Sequence, residues 1–443
     1  MTPTASEIAA RVRAGAADPV LITEQALARI AAVDGVLGAF RVVRDKAALA
    51  EAAAVRERPD LAELPLAGVP VAVKDVAAIS GECVTNGALA AATEPADADH
   101  VIVRRLRDAG AIVVGITRVP ELCIWPMSDD PAGTARNPWD PAYTAGGSSG
   151  GSGSAVAAGL VPIAHGTDGM GSVRLPAAIC GLVGVKPGSG VIKEPDAMSW
   201  YGMSSHGSLT TTVADAGLML SVLAERPELA EVTEPVAPLR IAVSTRAPLG
   251  VPVQHRIRDA ATTAAAGLSD EGHLVTRATP HYGLSTVVGM AVRWFAGPSE
   301  QADALDHALL QRRTRAHIGA GHALRRAGLI RPRTAERWRT RAARFFEEYD
   351  VLLTPTFATV PPEARSWHRR SWLSNAISAA RFAPFTGPWN LAGFPAMTVP
   401  AGHDKNGLPL GVQLVAAPDG ERLLLSLAAQ LERRNPWPRT VAD

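Results

Sequence analysis

Cysteine, aromatic residues and surplus charge are all scarce in this chain of 443 residues. The 3 cysteines, Cys83, Cys123 and Cys180, cannot all pair, and their spacing fits no metal site. A disulfide scaffold and a zinc ribbon are therefore excluded, and reduced core thiols of a cytoplasmic protein are expected. Lys plus Arg (44) against Asp plus Glu (43) leaves a formal net charge of +1, which supplies neither the basic surface of a nucleic-acid binder nor attraction to a membrane. Residues 312–344 are dense in arginine, but Glu336, Glu347 and Glu348 accompany them, so a solvated helical face is expected there. No apolar run approaches the roughly 18 residues a membrane span needs; the best covers residues 155–164. Glu7 and Arg11 stand where a signal peptide would be apolar. These absences predict a soluble cytoplasmic protein with no nucleic acid, membrane, metal or cofactor partner.

Glycine is what the chain has in plenty, and two loops concentrate it. The first reads Gly146-Gly147-Ser148-Ser149-Gly150-Gly151-Ser152, and the second Gly166-Thr167-Asp168-Gly169-Met170-Gly171-Ser172. Glycine this dense lets backbone N–H groups converge, and hydroxyls among them suit acyl transfer: one attacks, while the N–H groups receive the oxyanion. Gly146-x-Ser148-x-Gly150 matches the nucleophile elbow of α/β-hydrolases, but the overlapping Gly147-x-Ser149-x-Gly151 matches it too, so the pattern discriminates little. A phosphate loop would end in Gly-Lys-Ser/Thr, and no lysine stands here. A flexible linker would not run straight into apolar residues 155–164.

Upstream, residues 68–75 read Gly-Val-Pro-Val-Ala-Val-Lys-Asp, with Val69, Val71 and Val73 alternating with Pro70, Ala72 and Lys74. A strand is predicted, with Lys74 at its end on the face opposite the valines. Burial there would penalise the ammonium form and make the amine a base; an exposed strand-end lysine is the bland alternative.

Taken together, the segment ending in Lys74, the GGSSGGS loop and the GTD-x-x-GSVR loop resemble the amidase signature family of serine hydrolases. The spacing agrees with that family, with Lys74 74 residues before Ser148 and Ser172 24 residues after it. The resemblance runs over residues 6–437. It implies Lys74 as base, Ser148 as a bridging serine in a cis peptide with Gly147, and Ser172 as nucleophile. It also implies backbone N–H groups of Gly169, Met170, Gly171 and Ser172 as oxyanion donors. The family's usual Asp-Ile-Gly-Gly-Ser is here Asp168-Gly169-Met170-Gly171-Ser172, so Met170 would be strained if its position required φ > 0. Asp168 and Arg174 read as an ion pair or hydrogen-bonded brace beneath the loop.

Residues 121–127 (ELCIWPM) form an apolar loop that by resemblance lines the substrate pocket. Leu122, Cys123, Trp125 and Met127 are the candidates, with Ser149 beside them, and core packing fits each equally. Residues 1–65 read as a mostly helical segment with Ser6 as a first cap, and residues 66–215 as the catalytic core. Helix is expected over 152–159 and strand over 160–164. Residues 366–385, carrying Trp367, Trp372, Phe382 and Phe385, are a candidate lid, or simply packing. Residues 389–396 and 407–413 resemble the family's closing strands.

The resemblance implies one α/β domain over residues 1–443, a large mixed twisted sheet with helices on both faces, and the strand–helix alternation over 66–181 independently supports that class. The implied activity is hydrolysis of a small aryl or apolar amide through an acyl-enzyme on Ser172, with carbamates or esters open, by a lone chain or a homodimer. A Ser-His-Asp arrangement through His165 or His206 is the rival mechanism. Two other functions stay open: the glutaminase subunit of a tRNA-dependent amidotransferase, and a non-catalytic binding protein on the same fold.

Overall fold

The alternation around Val71 and Val73 builds the strand on which the site hangs. In the computed structural model, which describes residues 2–91, 93–193, 199–233 and 238–442, eleven strands among those residues form one mixed sheet. They are β1 (Phe40–Val43), β2 (Pro70–Lys74), β3 (Ile112–Thr117), β4 (Ile163–Asp168), β5 (Val183–Lys186) and β6 (Ser205–Thr210). The rest are β7 (Arg240–Val243), β8 (Leu274–Arg277), β9 (Val351–Pro355), β10 (Ala396–His403) and β11 (Pro409–Ala416). Their order across the sheet is β1-β3-β2-β4-β6-β5-β10-β11-β9-β7-β8. β2 runs parallel to both neighbours, β3 and β4, and β7 to both β8 and β9. The other pairings are antiparallel.

Both faces of the sheet are covered. Val71 and Val73 join Val103, Leu106 and Leu220 in one apolar cluster, served by helices Val101–Asp108 and Val213–Ala224. Ala72 and Ala164 belong to the other, with Val156 and Ile179 from helices Gly150–Ala157 and Arg174–Cys180. A strand buried on both sides has no solvated face, so Lys74 is buried rather than exposed at the strand end. Because β2 and β4 are parallel, their carboxyl ends lie at the same sheet edge, where Lys74 and Asp168 end the two strands. Open α/β sheets place their ligand crevices there.

Several local expectations need correcting. Thr4, not Ser6, caps the first helix, Ala5–Arg13, in a reciprocal bond pair with Glu7; the Ser6 hydroxyl instead donates to Asp215. The helix after the first glycine loop begins at Gly150, two residues early, and the following strand starts at Ile163 and takes in Gly166-Thr167-Asp168. Three of the seven residues of the second glycine loop are therefore strand. Residues 387–392 fold as the helix Gly387–Ala392, so β10 is the closing strand there. The arginine-rich stretch forms helices Arg312–Arg326 and Pro332–Glu348, mostly solvated, although Arg313 is fully buried against Asp129. Residues 194–198 of the loop-rich stretch 192–212 lie outside the described residues. No helix among the described residues is long and apolar enough to cross a membrane.

Candidate active site

Lys74 is 0 % exposed, and its Nζ lies 2.7 Å from Ser148 Oγ, 2.7 Å from Thr167 Oγ1 and 3.2 Å from the Thr167 carbonyl. No carboxylate is among these partners. Asp75, the next residue, turns away to pair with Arg41 and to accept from the Thr85 backbone N–H. Burial pushes the Lys74 pKa below the ordinary lysine range, against the opposing fields of Cys123 and Asp168. Burial among neutral oxygens favours the uncharged amine, the form a base requires.

Ser148 lies in a cis peptide with Gly147, as the resemblance implies. Ser148 and Ser172 open into the same polar cavity, and the Ser149 N–H donates to the Ser172 carbonyl at 3.1 Å, tying the two glycine loops together. Among the described residues no hydrogen bond joins the Ser148 and Ser172 hydroxyls. The bonded series runs from Lys74 to Ser148, and Ser172 stands beyond it at the cavity wall. Such contacts commonly close only when substrate is bound.

The second loop is held from below. Asp168 and Arg174, both with fully buried side chains, pair at 2.9 Å. Burial alone would raise the Asp168 pKa; the charge and hydrogen bonds of Arg174, with a bond from Asn390, outweigh it and hold the carboxyl well below the usual range. Asp168 also accepts the Gly171 N–H at 2.5 Å and the Val173 N–H at 3.2 Å. This corrects the oxyanion expectation, because the Gly171 N–H is already engaged. Gly169, Met170 and Ser172 remain as the candidate donors. The left-handed torsion of the loop falls on Gly171 (φ 119°), not on Met170, so methionine is tolerated where it stands. A Cβ at position 171 would also come within 2.3 Å of Thr386 Oγ1.

Three residues of this support were given no role from the sequence, although Asn390 and Gln413 lie in the family-like segments 389–396 and 407–413. Thr386 donates to the Met170 carbonyl at 2.6 Å, Asn390 donates to the Asp168 carbonyl at 2.8 Å, and Gln413 accepts from Arg174 at 2.6 Å. They lie more than 200 residues along the chain from the loop they hold. Thr167 was in view within the motif, but its role as a lysine partner follows only once Gly166-Thr167-Asp168 is seen to be strand.

The pocket candidates divide. Cys123 and Trp125 line an apolar cavity of about 200 Å³ together with Ile124, Met170, Met290 and Trp294. Leu122 and Met127 pack in a buried apolar cluster, and Ser149 exchanges hydrogen bonds with the Thr167 backbone. These three are core residues, a correction to their assignment as pocket lining. The aromatics of residues 366–385 also pack: Phe382 stacks on Phe357, and Trp372 donates to His317 at 3.2 Å. Alanines of the helix Trp372–Phe382, Ala376, Ala379 and Ala380, are what reach the cavity.

His165 does not assemble a Ser-His-Asp site. Its Nε2 lies 2.7 Å from His206 Nδ1, its Nδ1 is without a partner, and burial holds its pKa well below the usual histidine value. The nearby carboxylate, Asp168, is committed to Arg174.

Comparison with known proteins follows the same lines. The family model described as Amidase matches residues 21–425. A Mycobacterium tuberculosis protein provisionally named as an amidase is 42% identical over 436 residues, covering 96% of this chain and 94% of its own. An acylamidase of Rhodococcus erythropolis is 35% identical over 466 residues, covering 98% and 96%. Among solved structures, 6-aminohexanoate cyclic dimer hydrolase complexed with substrate superposes with a TM-score of 0.87 at 29% identity, covering 98% of this chain and 97% of that one.

Proposed function

This chain belongs to the amidase signature family of amidohydrolases, and from that premise we propose that it is a free-standing serine amidase cleaving small aryl or apolar amides through an acyl-enzyme on Ser172. The observation that carries this reading is the buried Lys74 amine 2.7 Å from Ser148 Oγ, with Ser172 on the same cavity.

Neutral Lys74 takes the Ser148 proton as Ser148 takes that of Ser172. The Ser172 oxygen attacks the carbonyl carbon, and the oxyanion is received by the N–H groups of Gly169, Met170 and Ser172. The proton then passes back through Ser148 to the amide nitrogen, since an amine leaves poorly unless protonated. The C–N bond breaks, and water hydrolyses the ester left on Ser172 by the same relay. Carbamates and esters form the same oxyanion and are admitted by it. Residues 66–215 supply this machinery, residues 1–65 its helical flank, and residues 366–385 a cover over the apolar cavity.

The relative named acylamidase, matched over nearly its whole length, favours this reading over that of a glutaminase subunit. The test is to assay the chain purified alone. Hydrolysis of an aryl amide such as a nitroanilide without partners supports the proposal. A requirement for glutamine, ATP and charged tRNA would replace it with the amidotransferase reading, and no turnover of any amide would leave a binding protein.

A further inference from the structure

Strands β7, β8 and β9 make a second parallel group in the sheet, with β7 in the middle. The chain leaves β7 and β8 toward opposite faces. After β7 it enters the helix His255–Asp270, whose Ala261, Ala265 and Leu268 share an apolar cluster with Ile241 and Val243. After β8 it enters the helix Leu284–Gln301, whose Met290 joins Ala242 in the cluster on the other face. Neighbouring parallel strands whose connections part in this way open a crevice at their carboxyl ends, and open α/β sheets bind ligands in such places. A crevice of about 630 Å³ lies there, between the loop that follows β7 and the loop that follows β8. It shares no lining residue with either cavity at Ser172.

Its charge is of one sign. Arg246 comes from the first loop, Arg258 from the start of the helix His255–Asp270 and His281 from the second loop, and no aspartate or glutamate is among the lining residues. Among the described residues neither Arg246 nor Arg258 has a side-chain hydrogen bond or an ion pair. The Arg341 guanidinium stands behind His281 and donates to its carbonyl at 3.5 Å. The helix adds to the same field. Its first turn holds no acidic residue, and Gln254 at its N-cap makes no side-chain bond to it, so the positive end of its dipole faces two arginines uncompensated. The remaining wall is apolar: Pro248, Leu249, Val251 and Pro280, with the Tyr282 ring packed on Trp338 at 5.4 Å between centroids.

We propose that this crevice is a second binding site, which takes the phosphate group of a small phosphate monoester with an apolar or aromatic body. Two guanidinium forks converge on one opening, and a phosphate dianion offers oxygens to both where a single carboxylate would satisfy one. An uncharged ligand would leave the arginines unopposed. Bare phosphate would leave the wall of Pro248, Leu249 and Pro280 in water, whereas an attached apolar body covers it and gains by doing so. The site goes beyond the amidase reading and does not depend on it, since its residues take no part in the relay.

The test is calorimetric titration of the full chain with phenyl phosphate at low salt. One molecule is expected to bind per chain with a Kd of about 1 mM or tighter. Inorganic phosphate should bind at least threefold more weakly, and benzyl alcohol, which keeps the ring and lacks the charge, should not bind at 10 times that concentration. Arg246→Ala and Arg258→Ala are each expected to weaken phenyl phosphate at least tenfold, while hydrolysis of a small amide stays within twofold of wild type. Arg344→Ala removes an exposed arginine of the helix Pro332–Glu348 outside the crevice, and should leave the Kd within twofold. Absence of binding, an unchanged Kd in both crevice variants, or a loss in Arg344→Ala as large as theirs would overturn the site. Because binding is read without turnover, a chain that hydrolyses no amide would remove the amidase reading and leave this inference standing.

Discussion

Burying an ammonium group without a carboxylate at hydrogen-bond distance is expensive, and Lys74 occupies such a place. Its pKa is lowered in the fold and stands near ~10.4 in the unfolded chain, so between those values the unfolded state binds more protons. Stability contributed by this residue therefore rises with pH across that window, and is lowest where the ammonium form must be buried. Lys74→Met should raise the melting temperature, with a gain of about 1–3 kcal/mol that is largest on the acid side, while activity falls by about 10³-fold or more. Thermal melts at several pH values, beside a rate assay, check both halves. In the wild type, kcat/KM should climb with pH until Lys74 is neutral and then level; an acid optimum would argue against an amine base. The strand face carrying Lys74 was legible because valines alternate with it. The uses of Leu122 and Met127 were not, since an apolar side chain looks the same in sequence whether it meets a ligand or another side chain.

At the scale of elements, the second glycine loop is shaped by a helix far along the chain. Gly387–Ala392 brings Asn390 and the preceding Thr386 under the loop, where they hold the Asp168 and Met170 carbonyls. Gly171→Ala should abolish activity, because φ 119° is strained for alanine and its Cβ would meet Thr386 Oγ1. Adding Thr386→Gly should restore part of the lost folding stability but little rate, and a double-mutant cycle in melting and kcat measures the split. Asn390→Ala should lower kcat about 10–100-fold with KM little changed, as expected of a residue that positions N–H donors rather than touching substrate. None of this could be read from residues 389–396, whose mostly apolar sequence suits a strand or a short helix equally. Long-range contacts decided it. The same holds for residues 366–385, where the conspicuous aromatics turned out to pack and the inconspicuous alanines line the cavity.

For the whole molecule, the sheet order places one motif from each of three distant stretches at a single edge. Lys74 ends β2, the Asp168–Ser172 loop leaves β4, and Ser148 lies just ahead of the helix Gly150–Ala157 between them in sequence. The α/β class of the β3-β2-β4 region was legible from strand–helix alternation; the parallel order of its strands was not. In the far half of the sheet, the closing strands β10 and β11 followed from resemblance rather than from periodicity. With a net charge of +1, turnover of an uncharged amide should vary less than twofold between low and moderate salt, which a rate series in sodium chloride checks. The most direct measurement is the rate and site of labelling by a serine-directed fluorophosphonate, read by mass spectrometry of the intact chain and its peptides. The account predicts one adduct on the peptide carrying Ser172, absent in Ser172→Ala and slowed at least 100-fold in Lys74→Ala; an adduct that persists in Ser172→Ala, or forms at the wild-type rate in Lys74→Ala, would contradict it.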